Sequence, residues 1–499
     1  MARQDRGPIQ TRVENALPLS VIPAFSAQSA PPSLRSARTI PPAWIAPAPA
    51  WPAGRASRRR VIATLAAATL AGALPGCGGS AGRAAVPASP DPAGTTRQPE
   101  PDVGDPPPGD TSHGETPHPV AVMYLPTDPQ PGERFSLGAQ DGAYWRLVPN
   151  PGQAILTDGL LGDVLPGERW VDVPLDGAWS AAAASDDGRM LMVAANHGAL
   201  FLSCDEGRTW RRQTAVGEAH WTSVAIAPRG QHMAAASFGG RIWVSLDAGR
   251  TWAARSEPDD WTSVAISEGG YNLVAVAKNG AIHTSDEAGA SWTVRSTETQ
   301  RWQSVAATPD GALMLAGASD GALWFSDGFG TSWMPRGPRA PWSRTALSRD
   351  GQTMAAATWG SFVQVSTDAG ETWTPVFREG PVTALAMSAD GQRLLLTVPA
   401  QPGLPDGRPH LSLDGGRTWQ PQLDDRSWMA AALSGDGRTL LAAHAGPGAG
   451  GLRVSIGNRT RYGPAGSISG GPGGWLDMYY EGDGRFRIAD ADPGPHRVE

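Results

Sequence analysis

A six-residue phrase that opens with tryptophan returns along this 499-residue chain at a spacing near 41 residues. Trp221-Thr-Ser-Val-Ala-Ile reappears as Trp261-Thr-Ser-Val-Ala-Ile, Trp302-Gln-Ser-Val-Ala-Ala and Trp342-Ser-Arg-Thr-Ala-Leu, with looser copies beginning at Trp179, Pro381-Val382 and Trp428. Successive starts lie 42, 40, 41, 40, 39 and 47 residues apart, which makes seven units. Such a period marks an array of equal supersecondary units, each of which buries its apolar faces only against its neighbours. Within a unit, a strand runs from the tryptophan to a polar turn such as Asp186-Asp187-Gly188 or Pro309-Asp310-Gly311. A second strand of small apolar residues follows (Met190 to Ala195, Leu313 to Ala316), then a glycine-containing turn, a third strand, and a fourth that begins at another tryptophan. Four short strands in about 40 residues, separated by Asp-Gly turns, are the pattern of a propeller blade. Small apolar residues on both faces of a strand suit a sheet with neighbours on both sides.

Between the third and fourth strands lies a second repeated phrase, S-x-D-x-G-x-T-W. It is intact at Ser203–Trp210, Ser245–Trp252, Ser366–Trp373 and Ser412–Trp419. Ser285–Trp292 has Glu287 in the acidic position, and Ser326–Trp333 has Gly328 there. This phrase resembles the Asp-box, or BNR repeat. The residues that carry the resemblance are Asp205, Gly207 and Trp210; Asp247, Gly249 and Trp252; Glu287, Gly289 and Trp292; Gly330 and Trp333; Asp368, Gly370 and Trp373; Asp414, Gly416 and Trp419. Their expected role is structural: a short acceptor side chain ties the turn amides, glycine permits positive φ, and the indole covers the sheet.

The expected fold is all-β: a seven-bladed β-propeller of four-stranded blades over 161–463. The last unit, from Trp428, lacks a box, whereas Gly167-Glu168-Arg169-Trp170 resembles the tail of one. The segment Arg169–Val173 is therefore expected to complete the last blade, so that the ring closes without a free sheet edge. The flanks, 120–160 and 464–499, resemble two halves of a short β unit of phage-tail-like and surface proteins, split by the inserted propeller. An eighth blade is the alternative, because Trp475 to Arg485 echoes Trp428 to Arg438 through a shared Gly-Asp-Gly-Arg turn.

The amino-terminal part carries an address. Arg58-Arg59-Arg60 precedes a 16-residue run without charge, too short to cross a bilayer as a helix but suited to a secretory signal. Leu74-Pro75-Gly76-Cys77 closes it and resembles a bacterial lipobox, with Cys77 the lipidation site; the arginines resemble a Tat-type signal. Residues 57–77 are thus expected to be a lipoprotein signal and 78–119, rich in Pro, Gly, Asp, Thr and Ser, a disordered tether. Residues 1–56 are either a disordered extension or the product of a start assigned too early. Cys204, inside the first box, is expected to be a tolerated loop thiol.

Charge narrows the partners. Residues 1–77 hold nine arginines and two acids, so the remainder carries 32 basic and 46 acidic residues. A domain this acidic repels phosphate backbones, and no nucleic acid is expected. No Cys/His cluster suggests a metal, no cofactor is implied, and a monomer is expected.

Asp-box propellers include sialidases, xyloglucanase-type glycosidases, sortilin-type receptors and photosystem II assembly factors. The regular spacing most resembles the sortilin-like and assembly-factor proteins, and the resemblance implies architecture rather than activity. Sialidases need an arginine triad, a tyrosine with a partner glutamate and an acid/base aspartate; here only Tyr479 and Tyr480, beside Glu481, are candidate nucleophiles, and Phe486-Arg487-Ile488-Ala489 follows the boxes. The paired acids Asp259-Asp260 and Asp424-Asp425 read as solvated loop charges. The expectation is a non-catalytic binding or scaffold lipoprotein, exported and lipid-anchored in the bacterial envelope, whose partner is an envelope protein or glycan; an exo-acting glycoside hydrolase is the alternative. Trp179, Trp221, Trp261, Trp302, Trp342 and Trp428 are either an aromatic ligand rim at the loop face or wedges between blades. The insertion Pro399–His410 is expected on the same face as a specificity loop.

Overall fold

The computed structural model describes residues 120–138, 143–157, 165–295, 300–360, 362–400, 407–445, 451–492, 494 and 496–498. The expectations for Cys77, the signal, the tether and residues 1–56 lie outside them, as does the centre of the Pro399–His410 insertion. Apart from two 3-10 turns, Thr214–Val216 and Gly463–Ala465, the regular structure is all β.

Each repeat is an antiparallel meander. From Trp342, the strands Trp342–Leu347, Met354–Thr358, Val363–Ser366 and Thr374–Phe377 pair in chain order. The next repeat pairs Ala384–Met387, Leu394–Thr397, Pro409–Ser412 and Gln420–Pro421 in the same way. Trp428–Leu433, Thr439–His444 and Leu452–Ile456 are completed by Trp170–Val173, whose Val171 lies opposite Val454. The four earlier repeats follow the same internal order but are joined laterally. Asn196 pairs with His220, Phe238 with Asp260 and Lys278 with Arg301, where the hairpin of one repeat meets the lead-in of the next.

The first strand of every repeat is the inner one. Trp179–Ala184 packs against Glu218–Ile226, and so on in order to Trp428–Leu433, which returns to pack against Trp179–Ala184. This cyclic order around one axis makes the architecture a β-propeller. The second strands are buried on both faces: Met233, Ala234, Ala235 and Ala236 have no exposed surface. Small side chains there let adjacent sheets approach where they converge toward the axis.

The repeated Trp-Thr-Ser phrase has a geometric reason. In six repeats the register shifts just after the tryptophan, for example between Trp261 and Ser263. A residue at such a bulge leaves the local ladder. Its hydroxyl then reaches the neighbouring repeat: Ser180 Oγ donates to the Trp221 carbonyl (2.8 Å), Thr222 Oγ1 to that of Trp261 (2.8 Å) and Thr262 Oγ1 to that of Trp302 (3.1 Å). Thr383 does the same to Trp428 (2.9 Å). These bonds couple neighbouring sheets at their inner strands, in addition to side-chain packing and the lateral pairings.

The two flanks pair with each other. Val120–Tyr124, Tyr144–Val148, Ile468–Gly470 and His496–Val498 form one sheet; Arg134–Gly138, Trp475–Gly482, Arg485–Ala491 and Ala154–Leu156 form a second. Phe135, Trp145, Leu147, Ile155, Ile468, Leu476, Met478 and Phe486 fill the core between them. Trp475, which echoes a repeat start, pairs with Gly138 here, and Gly482-Asp483-Gly484-Arg485 closes a hairpin of this unit.

Candidate binding face

The S-x-D-x-G-x-T-W corners form a rigid frame at one end of the meanders. Ser203 Oγ accepts the Gly207 N–H (2.8 Å) and donates to Asp205 Oδ1 (2.8 Å). Asp205 in turn accepts the Thr209 N–H (2.9 Å) and hydroxyl (2.6 Å). The same four bonds recur around Asp247, Asp368 and Asp414. Gly207, at φ +83°, meets Val454 where a Cβ would lie, so both the backbone angle and the space demand glycine. In the variant corners Glu287 keeps only the Ser291 hydroxyl (2.8 Å), and Thr331 donates to the Gly328 carbonyl (2.7 Å) instead of a carboxylate. Ser285 and Ser326 still hold Gly289 and Gly330. Cys204, inside the first corner, is not the free thiol expected of it.

The aromatic-rim expectation fails on burial. Trp179, Trp221, Trp261, Trp302, Trp342 and Trp428 are between 0% and 3% exposed. Their indoles lie sideways between sheets: Trp342 packs on Phe362 and Trp373, and Trp261 on His283 and Trp292. The Trp221 Nε1–H donates to the Gly198 carbonyl of the preceding repeat (2.9 Å). Covered rings have no face to offer a ligand. They are wedges, because a wide flat side chain fills the widening gap between sheets that diverge from an axis.

What this end of the ring presents instead is carried by the turns joining second to third strands. Those positions differ from repeat to repeat while the strands around them recur. His197 stacks on His220 (4.5 Å between centroids), His220 lies 5.4 Å from Phe238, and Lys278 Nζ sits 5.7 Å from the Phe238 ring. Burial and then the neighbouring His197 lower the His220 pKa. Asp320 is exposed, and a depression of about 310 Å³ lies among Gln300, Asp320, Trp324, Pro335 and Arg339. Trp359 is 46% exposed. The features that the repeats share do not point to these residues; the signal lies where the repeats differ.

The remaining candidates are engaged locally. Asp259 accepts the Asp260 N–H (2.7 Å); Asp424 pairs with Arg426 (2.8 Å) and Arg453 (3.4 Å), while Asp425 accepts the Gly407 N–H (2.7 Å). Neither acidic pair converges on a common point. His410, at the end of the insertion, packs on Phe377 and lies 3.5 Å from Glu379. Tyr479, Tyr480 and Glu481 belong to the flank sheets: Tyr480 Oη accepts the Gly484 N–H (2.9 Å) and Glu481 pairs with Arg487. Phe486 is fully buried there. Among the described residues no three His, Cys, Asp or Glu side chains are grouped to hold a metal ion. At the corner end of the ring, a depression of about 510 Å³ is bordered by Glu268, Tyr271, Asn272, Pro309, Asp310 and Arg349. Two of its charged groups are paired, Glu268 with Arg229 (2.7 Å) and Arg349 with Asp186, and Asp310 accepts the Thr308 hydroxyl (2.6 Å).

A locked frame of repeated sheets around one axis, with variable exposed turns at one end, defines a β-propeller. No family model matches the chain, and no curated protein sequence matches it. Among solved structures it is similar to YCF48 from Cyanidioschyzon merolae, at 16% identity and a TM-score of 0.45, over 57% of this chain and 98% of that one. It is equally similar to YCF48 bound to D1 peptide, at 16% identity and 0.45, over 58% and 96%. The β-propeller domain of Myceliophteria thermophila Cps50 (Swd1) aligns at 12% identity and 0.47, over 58% and 99%.

Proposed function

We propose that this chain is an exported, lipid-anchored, non-catalytic binding scaffold of the bacterial envelope. In this reading it is a seven-bladed β-propeller of four-stranded Asp-box blades, with an accessory β unit from both flanks and an anchor at Cys77. Its ligand is an envelope protein or glycan. One observation carries the proposal: strand and corner positions repeat, whereas the turn regions between second and third strands carry the exposed His197, Lys278, Asp320 and Trp359 and the half-buried Phe238. Positions that hold the architecture are constrained by packing, so differing exposed side chains carried on such a frame suit recognition. The lipobox-like Leu74-Pro75-Gly76-Cys77 and the polar stretch after it support the anchor and tether.

The test is capture from envelope extract, run beside a glycan array and a panel of fluorogenic glycosides. The full chain is expected to retain a protein or a glycan, and His197→Ala with Phe238→Ala to weaken that retention without lowering the thermal midpoint. Turnover of any glycoside would overturn the non-catalytic reading, and unchanged capture by the double variant would move the ligand off this face.

A further inference from the structure

At the second position after the tryptophan, or after Val382 in the repeat that lacks one, the inner strands carry alanine or serine in six repeats and Arg344 in the other. The serines use their hydroxyls on the adjacent inner strand: Ser223, Ser263 and Ser304 accept the N–H groups of Val264, Val305 and Thr345 at 3.2, 3.1 and 3.1 Å. Arg344 makes no such link. Its Nη1 donates to the Ser343 carbonyl (2.8 Å), and its Cζ lies 5.9 Å from the Trp359 ring centroid, which places it toward the loop end of the ring. It forms no ion pair with any described carboxylate, and burial alone lowers its pKa to about 10. A guanidinium has five N–H donors. Setting a cation back among apolar strands without a counter-charge is costly, so a group of this kind is satisfied when an anion arrives.

We infer that Arg344 and Trp359 form a binding site for the carboxylate of an extended peptide, supplied by its carboxyl terminus or by an acidic side chain. The inference rests on the loop end being the binding face. The guanidinium fork matches a carboxylate in two parallel hydrogen bonds, and the exposed indole offers a surface to the residue beside it. A single cation in a chain with more acids than bases favours a monoanion over a phosphate dianion. A peptide suits the site better than an acidic sugar, because the nearby serine hydroxyls are already bonded and leave little for a polyhydroxyl ring.

The test is calorimetric titration of the full chain with two probe pairs. Acetyl-Phe-Gly against its amide reads a terminal carboxylate, and acetyl-Phe-Asp-amide against acetyl-Phe-Asn-amide reads a side-chain one. The acid of at least one pair is expected to bind on the order of tenfold tighter than its neutral partner. Arg344→Gln should abolish that ratio with no loss of thermal stability, and Arg344→Lys should keep part of it. Equal binding of acids and neutral partners, an undiminished ratio in Arg344→Gln, or competition by glucuronate as strong as that of the peptide would overturn the inference. If the His197→Ala/Phe238→Ala protein still loses capture while these titrations fail, the binding-face reading stands and only the carboxylate site falls.

Discussion

Arg459 and Glu206, 253 residues apart, form an ion pair from which water is excluded: their side chains are 0% and 2% exposed. Glu206 belongs to the first corner, Arg459 to the segment leaving the last repeat. Arg459 also donates to Thr439 Oγ1 (2.8 Å) and to the Asp187 carbonyl (3.2 Å), while Glu206 accepts the Tyr462 N–H (3.3 Å) and Arg208 (3.1 Å). The Arg189 guanidinium covers the Tyr462 ring at 3.7 Å. Burial, the largest single effect, would lower the Arg459 pKa; the charges of Glu206, Asp436 and Tyr462 and the hydrogen bond to Glu206 together outweigh it and raise the pKa. The pair thus clasps the start of the ring to its end and to the carboxyl-terminal flank.

Removing one member leaves the other charged and buried, at a cost of about 3–5 kcal/mol. Glu206→Gln and Arg459→Met are each expected to lower unfolding stability by that amount in a denaturant titration. The double substitution Glu206→Met/Arg459→Met should cost less than the sum of the two. Single variants within 1 kcal/mol of the parent, taken roughly, would mean that the clasp is not closed in solution.

Trp221→Ala removes a wholly buried indole and should cost about 3–5 kcal/mol. Thr222→Val removes only the hydroxyl that reaches the Trp261 carbonyl, at about 1 kcal/mol. Both are read from thermal or chemical unfolding. A Trp221→Ala protein that keeps its stability and loses only ligand would restore the rim.

The corner carboxylates set an acid limit. Hydrogen bonds from the Thr372 hydroxyl and amide, then from Ser366, hold Asp368 at about 2, below its ordinary 3.8. Asp310 and Asp350, in the turns between first and second strands, are lowered likewise, chiefly by the Thr308 and Ser348 hydroxyls. A carboxyl with a depressed folded pKa contributes its stabilisation fully above the unfolded pKa and loses it as pH falls through the folded one. Stability should therefore decline from about pH 4 toward pH 2, and Asp368→Asn should flatten that decline. A melting series in which parent and variant run parallel would refute the assignment.

For the anchor, Cys77→Ser should move the protein from the membrane to the soluble fraction of its host. Membrane retention of that variant would remove the lipid. The chain has two cysteines, so an acylated Cys77 and a bond from Cys204 within the chain exclude one another. Iodoacetamide labelling before and after reduction tells which is present.

The fold is legible in the sequence where one residue type answers one local need. The spacing of Gly167 to Trp170 pointed to a closing strand, and Trp170–Val173 does pair with Leu452–Ile456. Asp205, Gly207 and Thr209 meet in the bonds their spacing implies. The site is less legible in the sequence. A tryptophan at a strand start is compatible with a rim or a wedge, and only the convergence of neighbouring sheets settles which.

Periodicity by itself determined that the chain is an array of short strands with acid-glycine corners, because turn chemistry and alternation are local and act within a few residues. The tertiary structure decided which tryptophans lose their faces, which bulge hydroxyls cross between sheets, and that Arg344 stands without an acid among the described residues. Those outcomes depend on groups 40 to 250 residues apart meeting around one axis, about which local spacing carries no information.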